Sequence, residues 1–254
     1  MKALASASLL AGLLLSGCAQ EPPSPPTSAA PATPAMHGAS IPADRWRVVL
    51  VAGDNNSPAF DNGVVSLRDK LAASGVRDIR LYSSNATRVG ATQLANATNL
   101  RAGLRGHDGE ACLAFVTSHG ERTGVYLRPD NRLFPPSALD QALTEGCGDR
   151  PTVLIVSACH SGTFINTQTR RPNRVILTAA ATERVSFGCG AGDQYTYYDR
   201  CLLRNYDTAT TWRELAASTR SCVEATEREL GVRRSSLPQT FVGSAVAELR
   251  LPGR

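Results

Sequence analysis

The sequence predicts one α/β domain with a mostly parallel sheet flanked by helices on both faces, and three observations carry that prediction. Its strand-length apolar runs show little polar alternation, as strands covered on both sides require. Segments with apolar residues at helical spacing separate those runs. Glycine and proline mark the boundaries between them. In chain order, RWRVVLVAG (45–53) reads as the first strand. VVSLRDKLAASG (64–75) reads as a helix that Gly75 closes, and IRLYSS (79–84) as the second strand. ATQLANATNLRAGL (91–104) follows as a helix and ACLAFVTSHG (111–120) as an apolar strand ending in His-Gly. PSALDQALTEG (136–146) opens on Pro136 and closes on Gly146, good helix punctuation. TVLIVSACHSG (152–162) and NRVILTAAA (173–181) are two further buried strands. The last third is more helical, with 210–231 its longest periodic segment and a late strand at 240–244.

Two strands end in reactive residues. Cys159 follows the run VLIVSA, and His119 follows LAFVTS. A cysteine nucleophile needs a base, and imidazole titrates in the useful range. The two residues are separated by about one helix and its connections. A right-handed crossover puts both strand ends on the same edge of the sheet, where open α/β sheets place their sites. Gly120 leaves a backbone N–H unobstructed beside His119, and with the N–H of Cys159 it can stabilise an oxyanion. His160 competes as base, but adjacent side chains on a tight turn point apart. Spacing alone leaves two readings open, a Cys/His dyad or two satisfied core residues, since cysteine also serves as a small core hydrophobe. A zinc site from His119, Cys159 and His160 has poor chelating geometry and no evident fourth ligand. No cofactor is expected.

The amino terminus bears on compartment. Met1-Lys2 precedes an apolar stretch, Ala3 to Leu15, too short to span a bilayer, and Leu15-Ser16-Gly17-Cys18 follows. That ending resembles the bacterial lipobox. The resemblance implies a signal peptide at 1–17, lipidation of Cys18, and anchoring in the cell envelope. Ala19, in place of an aspartate, resembles the outer-membrane sorting pattern, facing the periplasm. Residues 19–44, rich in Pro, Ala, Ser and Thr, then read as an extended tether between the anchor and the domain at 45–254. The formal charge of +5 falls by one when Lys2 leaves. Its arginines are scattered, without aromatic interleaving, so nucleic acid is not an expected partner.

Four ordered blocks carry a family resemblance. FVTSHGERTGVYL and VLIVSACHSGTFI resemble the paired His-Gly and Ala-Cys blocks of the legumain family of cysteine peptidases, in the caspase-like clan. VVLVAGDNNSPAF resembles that family's first strand and turn, and VILTAAATERVSFGCG its Thr-Ala-Ala stretch. The resemblance implies a caspase-like fold and an endopeptidase with Cys159 as nucleophile and His119 as acid/base. It assigns Asn55 to fixing the imidazole and the amides of Gly120 and Cys159 to the oxyanion hole. Substrates would be proteins or peptides. A ligase using the same acyl-enzyme, and a silent lipid-anchored binding protein of the same fold, stay open as alternatives. Around the pocket, Ser186 matches the family's serine. The positions of its arginine and two acids fall near Asp61, Ser157 and Arg200, within about one residue, so the charges look exchanged. An Asp61–Arg200 pair would still accept asparagine; an uncompensated Asp61 would select arginine or lysine.

The chain has seven cysteines. With Cys18 and Cys159 assigned, Cys189 resembles a cysteine in the family's Ser-x-x-Cys block near the pocket and is expected to be free. Cys201 with Cys222, on consecutive predicted helices, and Cys112 with Cys147, each preceding one of two neighbouring strands, are candidate pairs, since spacing by itself does not fix connectivity.

Overall fold

A computed structural model describes residues 40–85 and 93–254. The signal peptide, Cys18, most of the tether and residues 91–92 of the second predicted helix lie outside the described residues.

Seven strands form the main sheet: β1 (Trp46–Ala52), β2 (Asp78–Ser83), β3 (Gln93–Leu94), β4 (Ala111–Thr117), β8 (Thr152–Ser157), β9 (Arg174–Thr178) and β10 (Gln239–Val242). Their order is β10-β9-β8-β4-β1-β2-β3. All neighbours are parallel except β10, which runs antiparallel to β9. Every residue of β1, β4, β8 and β9 is buried, which explains the unbroken apolar runs.

Helices α1 (Pro58–Ala73), α4 (Tyr197–Tyr206) and α5 (Trp212–Glu229) cover one face, where Phe60, Leu67, Tyr206 and Trp212 join the inward side chains of the strands. Helices α2 (Ala97–Leu104) and α3 (Pro136–Cys147) cover the other through Leu100, Leu104, Leu139 and Leu143. The predicted fold class holds. Helix α1 begins at Pro58 rather than at residue 64, because Ser57 caps it, its hydroxyl accepting from the Ala59 N–H at 3.2 Å, and Pro58 fits the first helical position. Asn96 caps α2 in the same way, accepting from Asn99, so that helix starts six residues later than its periodicity suggests. No helix among the described residues is long and apolar enough to cross a membrane.

A second, three-stranded sheet departs from the sequence-based expectation. Strands β5 (Gly120–Glu121), β6 (Gly124–Leu127) and β7 (Arg132–Phe134) form antiparallel hairpins between β4 and α3. Asn131 turns the second hairpin in the left-handed region at φ 49°. The hairpins lean on the turn after β1: Arg128 donates its N–H to Gly53 O at 2.8 Å, and its Nε donates to the buried Asp54 at 2.8 Å.

Disulfides join Cys112 to Cys147 and Cys201 to Cys222, and Cys159 and Cys189 are free. Both bridges match the expected pairings. At the far side of β9, buried Arg174 donates to Asp140 and to Thr169 O, and burial pulls its guanidinium below the usual range while Asp140 offsets part of that.

Candidate active site

Strand register brings the two reactive loops together. In β4 and β8, Thr117 pairs with Ser157, and the Ser118 N–H donates to Ser157 O at 3.1 Å. His119 and Cys159 each lie two residues past that last pair, on the same edge of the sheet. The contact between the loops is close: a Cβ built on Gly120 would stand 2.5 Å from Cys159 O and 2.8 Å from the Ala158 Cβ. Glycine is required there by the proximity of the Cys159 backbone.

Cys159 is partly exposed, and its sulfur faces Ser186. The Ser186 N–H donates to Sγ at 3.3 Å, and the Ser186 carbonyl and hydroxyl oxygens lie 3.6 and 3.8 Å from it. The predicted pocket serine thus sits at the Cys159 sulfur. His160 takes the left-handed conformation at φ 56°, its N–H donates to Arg184 O at 2.7 Å, and its Nδ1 donates to Thr182 O at 2.8 Å. These bonds hold the competing imidazole on the 182–184 segment. The ring of His119 meets the edge of Phe60, with centroids 5.2 Å apart.

The remaining expected site residues divide. Asn55 is exposed in the turn after β1 and, among the described residues, makes no hydrogen bond to the His119 ring. That turn is pinned instead by its neighbour Asp54, whose carboxylate accepts from Asn56 N–H and from Arg128. Ser157 is buried, with its hydroxyl 3.4 Å from that of Thr196. Asp61 is 2 % exposed and accepts from Ser83 Oγ at 2.6 Å, at the carboxyl end of β2. Arg200 does not pair with Asp61. It is exposed on α4, with its guanidinium over the Tyr197 ring at 5.4 Å. Helical phase explains this: Tyr198, Asp199, Cys201 and Leu202 face inward, so position 200 faces out.

The inward acid is therefore Asp199, one residue from the position expected to carry it. Its backbone N–H donates to Thr196 Oγ1 at 2.9 Å, Thr117 Oγ1 donates to its Oδ2 at 2.8 Å, and Oδ1 has no hydrogen-bond partner among the described residues. Burial pushes its carboxyl up to about 6, against the opposing pull of the nearby Ser157, Thr117 and Thr196 hydroxyls. The Thr-x-x-Asp pattern of a helix start, visible at 196–199, is the signal that marks it. Asp61, Ser157 and Asp199 gather near the carboxyl ends of β2, β8 and β4, and Asp199 packs against Gly63 of α1. The free Cys189 follows Ser186 by three residues, and burial, with Cys159 nearby, pushes its thiol up.

His107, Cys112 and Cys147 cluster at the opposite edge of the sheet. Because the two sulfurs form a disulfide, that trio offers a metal no thiolate.

A mostly parallel sheet that presents a His-Gly loop and a cysteine turn from adjacent strand ends has the architecture of the caspase-like fold. The comparisons support it. Caspase-1 from Spodoptera frugiperda has a TM-score of 0.56 to this chain at 12 % identity, over 78 % of this chain and 86 % of that one, a likeness of fold. Residues 101–225 match the Peptidase C13 family, that of legumain, and together with the shared fold this match supports a legumain-like protein of the caspase clan. The matched span includes His119, Gly120, Cys159, Ser186 and Asp199 and leaves out Asn55 and Asp61. No curated protein sequence matches.

Proposed function

We propose that this protein is a lipid-anchored cysteine endopeptidase of the cell envelope, and the observation that carries the chemistry is the packing of the His119–Gly120 loop against the backbone of Cys159. The Cys159 thiolate attacks the carbonyl carbon of a peptide bond, and the carbonyl oxygen becomes an oxyanion that the amides of Gly120 and Cys159 receive. As the C–N bond breaks, imidazolium His119 gives its proton to the departing amine and leaves a thioester on Cys159. Water then attacks the thioester, His119 takes the proton, and a carboxylate product and free thiol result. The lipid on Cys18 and the tether at 19–44 would hold this chemistry at a membrane surface.

For the residue before the cut, the reading is that strict asparagine selection is lost. Two inward carboxylates, Asp61 and Asp199, stand at the sheet edge, while Arg200 faces outward. A buried carboxylate with an unmatched oxygen, as Asp199 has, suits a cationic side chain, which can offset its desolvation.

Trapping with a peptidyl electrophile followed by mass spectrometry tests the mechanism. The adduct is expected on Cys159 and absent from Cys159→Ala; an intact protein with no adduct sinks the peptidase reading and favours a silent binding protein. A peptide panel varied only before the cut, run on wild type, Asp61→Ala and Asp199→Asn, tests specificity. Clean asparagine preference untouched by both substitutions would overturn the cationic reading, and labelling with acyl transfer to added amines but no net hydrolysis would point to a ligase.

A further inference from the structure

Beside the nucleophile lies a cavity of about 630 Å³ that the mechanism does not use. His160, the residue after Cys159, lines it, as do Val185 and Phe187, which flank Ser186. Ser186 is the residue whose N–H and carbonyl meet the Cys159 sulfur, so the cavity is lined by chain neighbours of both residues, His160 on one side and Val185 and Phe187 on the other. Its far wall is the segment that ends α5, from Leu230 to Arg234.

Two features of the lining point to one kind of occupant. The first is apolar exposure: Leu230 is 57 % exposed and Val185 44 %, two of the three large hydrophobic side chains exposed among the described residues, and both face this space. Isolated exposed leucines need no explanation, but two apolar side chains on opposite walls of a concave site are what a ligand's apolar stem would cover. The second is charge. Arg122, Arg233 and Arg234 line the cavity, and none has a carboxylate within ion-pair distance among the described residues. The one acid in the lining, Glu183, lies 4.0 Å from Arg184, while Arg234 reaches only the Glu183 carbonyl, at 3.4 Å. Three unpaired guanidiniums around a partly apolar hollow make a site for a carboxylate on an apolar stem.

We infer that this cavity is an extended substrate subsite that selects an acidic residue, glutamate or aspartate, close to the scissile bond of the substrate polypeptide. The inference rests on the peptidase reading for its place in catalysis, and it adds a requirement that the pocket before the cut does not impose. A substrate would then carry two marks: a side chain read by Asp61, Asp199 and Ser186 at the cut, and an acid a short distance away read by the three arginines. The second mark acts through binding, so it belongs in KM more than in kcat.

The experiment uses the full mature chain with two probes. In the first, internally quenched peptides sharing one cleaved sequence carry Glu, Ala or Lys in turn at each position near the cut, on both sides of it. One position is expected where Glu exceeds Lys by about tenfold or more in kcat/KM, and the Arg122→Glu and Arg233→Glu/Arg234→Glu variants should collapse that ratio. In the second, fluorescent versions of the Glu and Lys peptides are titrated onto Cys159→Ala, with and without the arginine reversals, so that affinity is read without turnover. Cleavage with no acid preference, or a Glu-to-Lys affinity ratio unchanged by all the reversals, overturns the inference while leaving the peptidase reading intact. Preferential binding of the Glu peptide that the reversals abolish, with no cleavage of any peptide, keeps the subsite and removes the peptidase. Labelling of Cys159 by iodoacetamide at the wild-type rate in the reversal variants confirms that the surrounding loops have kept their form.

Discussion

Gly120→Ala is the most direct test of the packing between the two loops. The new methyl carbon would lie 2.5 Å from Cys159 O and 2.8 Å from the Ala158 Cβ, well inside the ~3.5 Å at which carbon makes favourable contact. Both obstacles are fixed: one is backbone, and the other is a Cβ bound directly to backbone, so no flexible side chain can swing aside. Relief requires the His119–Gly120 loop and the Cys159 turn to separate by several tenths of an ångström to about 1 Å. Overpacking of this kind costs about 1–3 kcal/mol of stability. A misplacement near 1 Å between reacting groups costs on the order of 10²-fold in rate, and loss of one oxyanion donor costs about as much again. Turnover is therefore expected to slow by about 10²-fold or more, with a urea midpoint lowered but cooperative unfolding retained. Gly192→Ala is the control, since nothing lies within 4 Å of where its added methyl would stand and its backbone is not in the left-handed region. Near-wild-type turnover in Gly120→Ala would refute the claim that the two loops are held in working contact by this glycine.

Other outcomes can be read on the same protein. His119→Ala should reduce turnover to nearly the level of Cys159→Ala, whereas His160→Ala should keep most of it, because the His160 ring is bonded to Thr182 O; equal loss in both would reassign the base. Asp199 holds a proton in the folded state up to about pH 6, against 3.8 for an ordinary aspartate. Stability linked to that proton is complete below about pH 4 and declines as pH rises to 6, by about 3 kcal/mol at most; urea titrations across that range should show a shallower slope for Asp199→Asn. Asp140→Ala should cost about 3–5 kcal/mol in urea unfolding, because it strands the buried charge of Arg174, and a loss under about 1 kcal/mol would mean water reaches that guanidinium.

The main sheet was legible because its central strands are buried on both faces, and sequences such as VLIVS leave almost no polar residue to obscure the period. The strand-end positions of His119 and Cys159 followed from that directly. The β5–β7 hairpins were not legible: their strands run two to four residues, carry charges, and owe their place to contacts with the distant turn at Gly53 and Asp54. The pocket was read in part. A motif block carries Ser186 to its place, but counting along that block puts Arg200 inside, because counting ignores helical phase. The helix turns Asp199 inward and Arg200 out onto Tyr197. Asn55 was assigned by likeness of a turn; in the fold, the carboxylate of Asp54 fastens that turn, and the histidine ring rests on Phe60.

The alignment of Thr117 with Ser157 has a consequence for how such a chain can change over time. The mutual position of the two reactive loops is set by the hydrogen-bonded ladder between β4 and β8 and is indifferent to the length of chain that joins them. Everything from residue 122 to residue 151 is an excursion that leaves and returns to a fixed pair of anchor points. Insertions in its exposed turns lengthen the excursion without shifting the ladder, while the Tyr126 N–H, donating to His119 O at 2.9 Å, ties the hairpins to the loop. A one-residue insertion inside either strand, by contrast, would turn its terminal side chain to the opposite face. Variation is thus directed into the crossover, where new surfaces can be tried beside the cysteine without disturbing it.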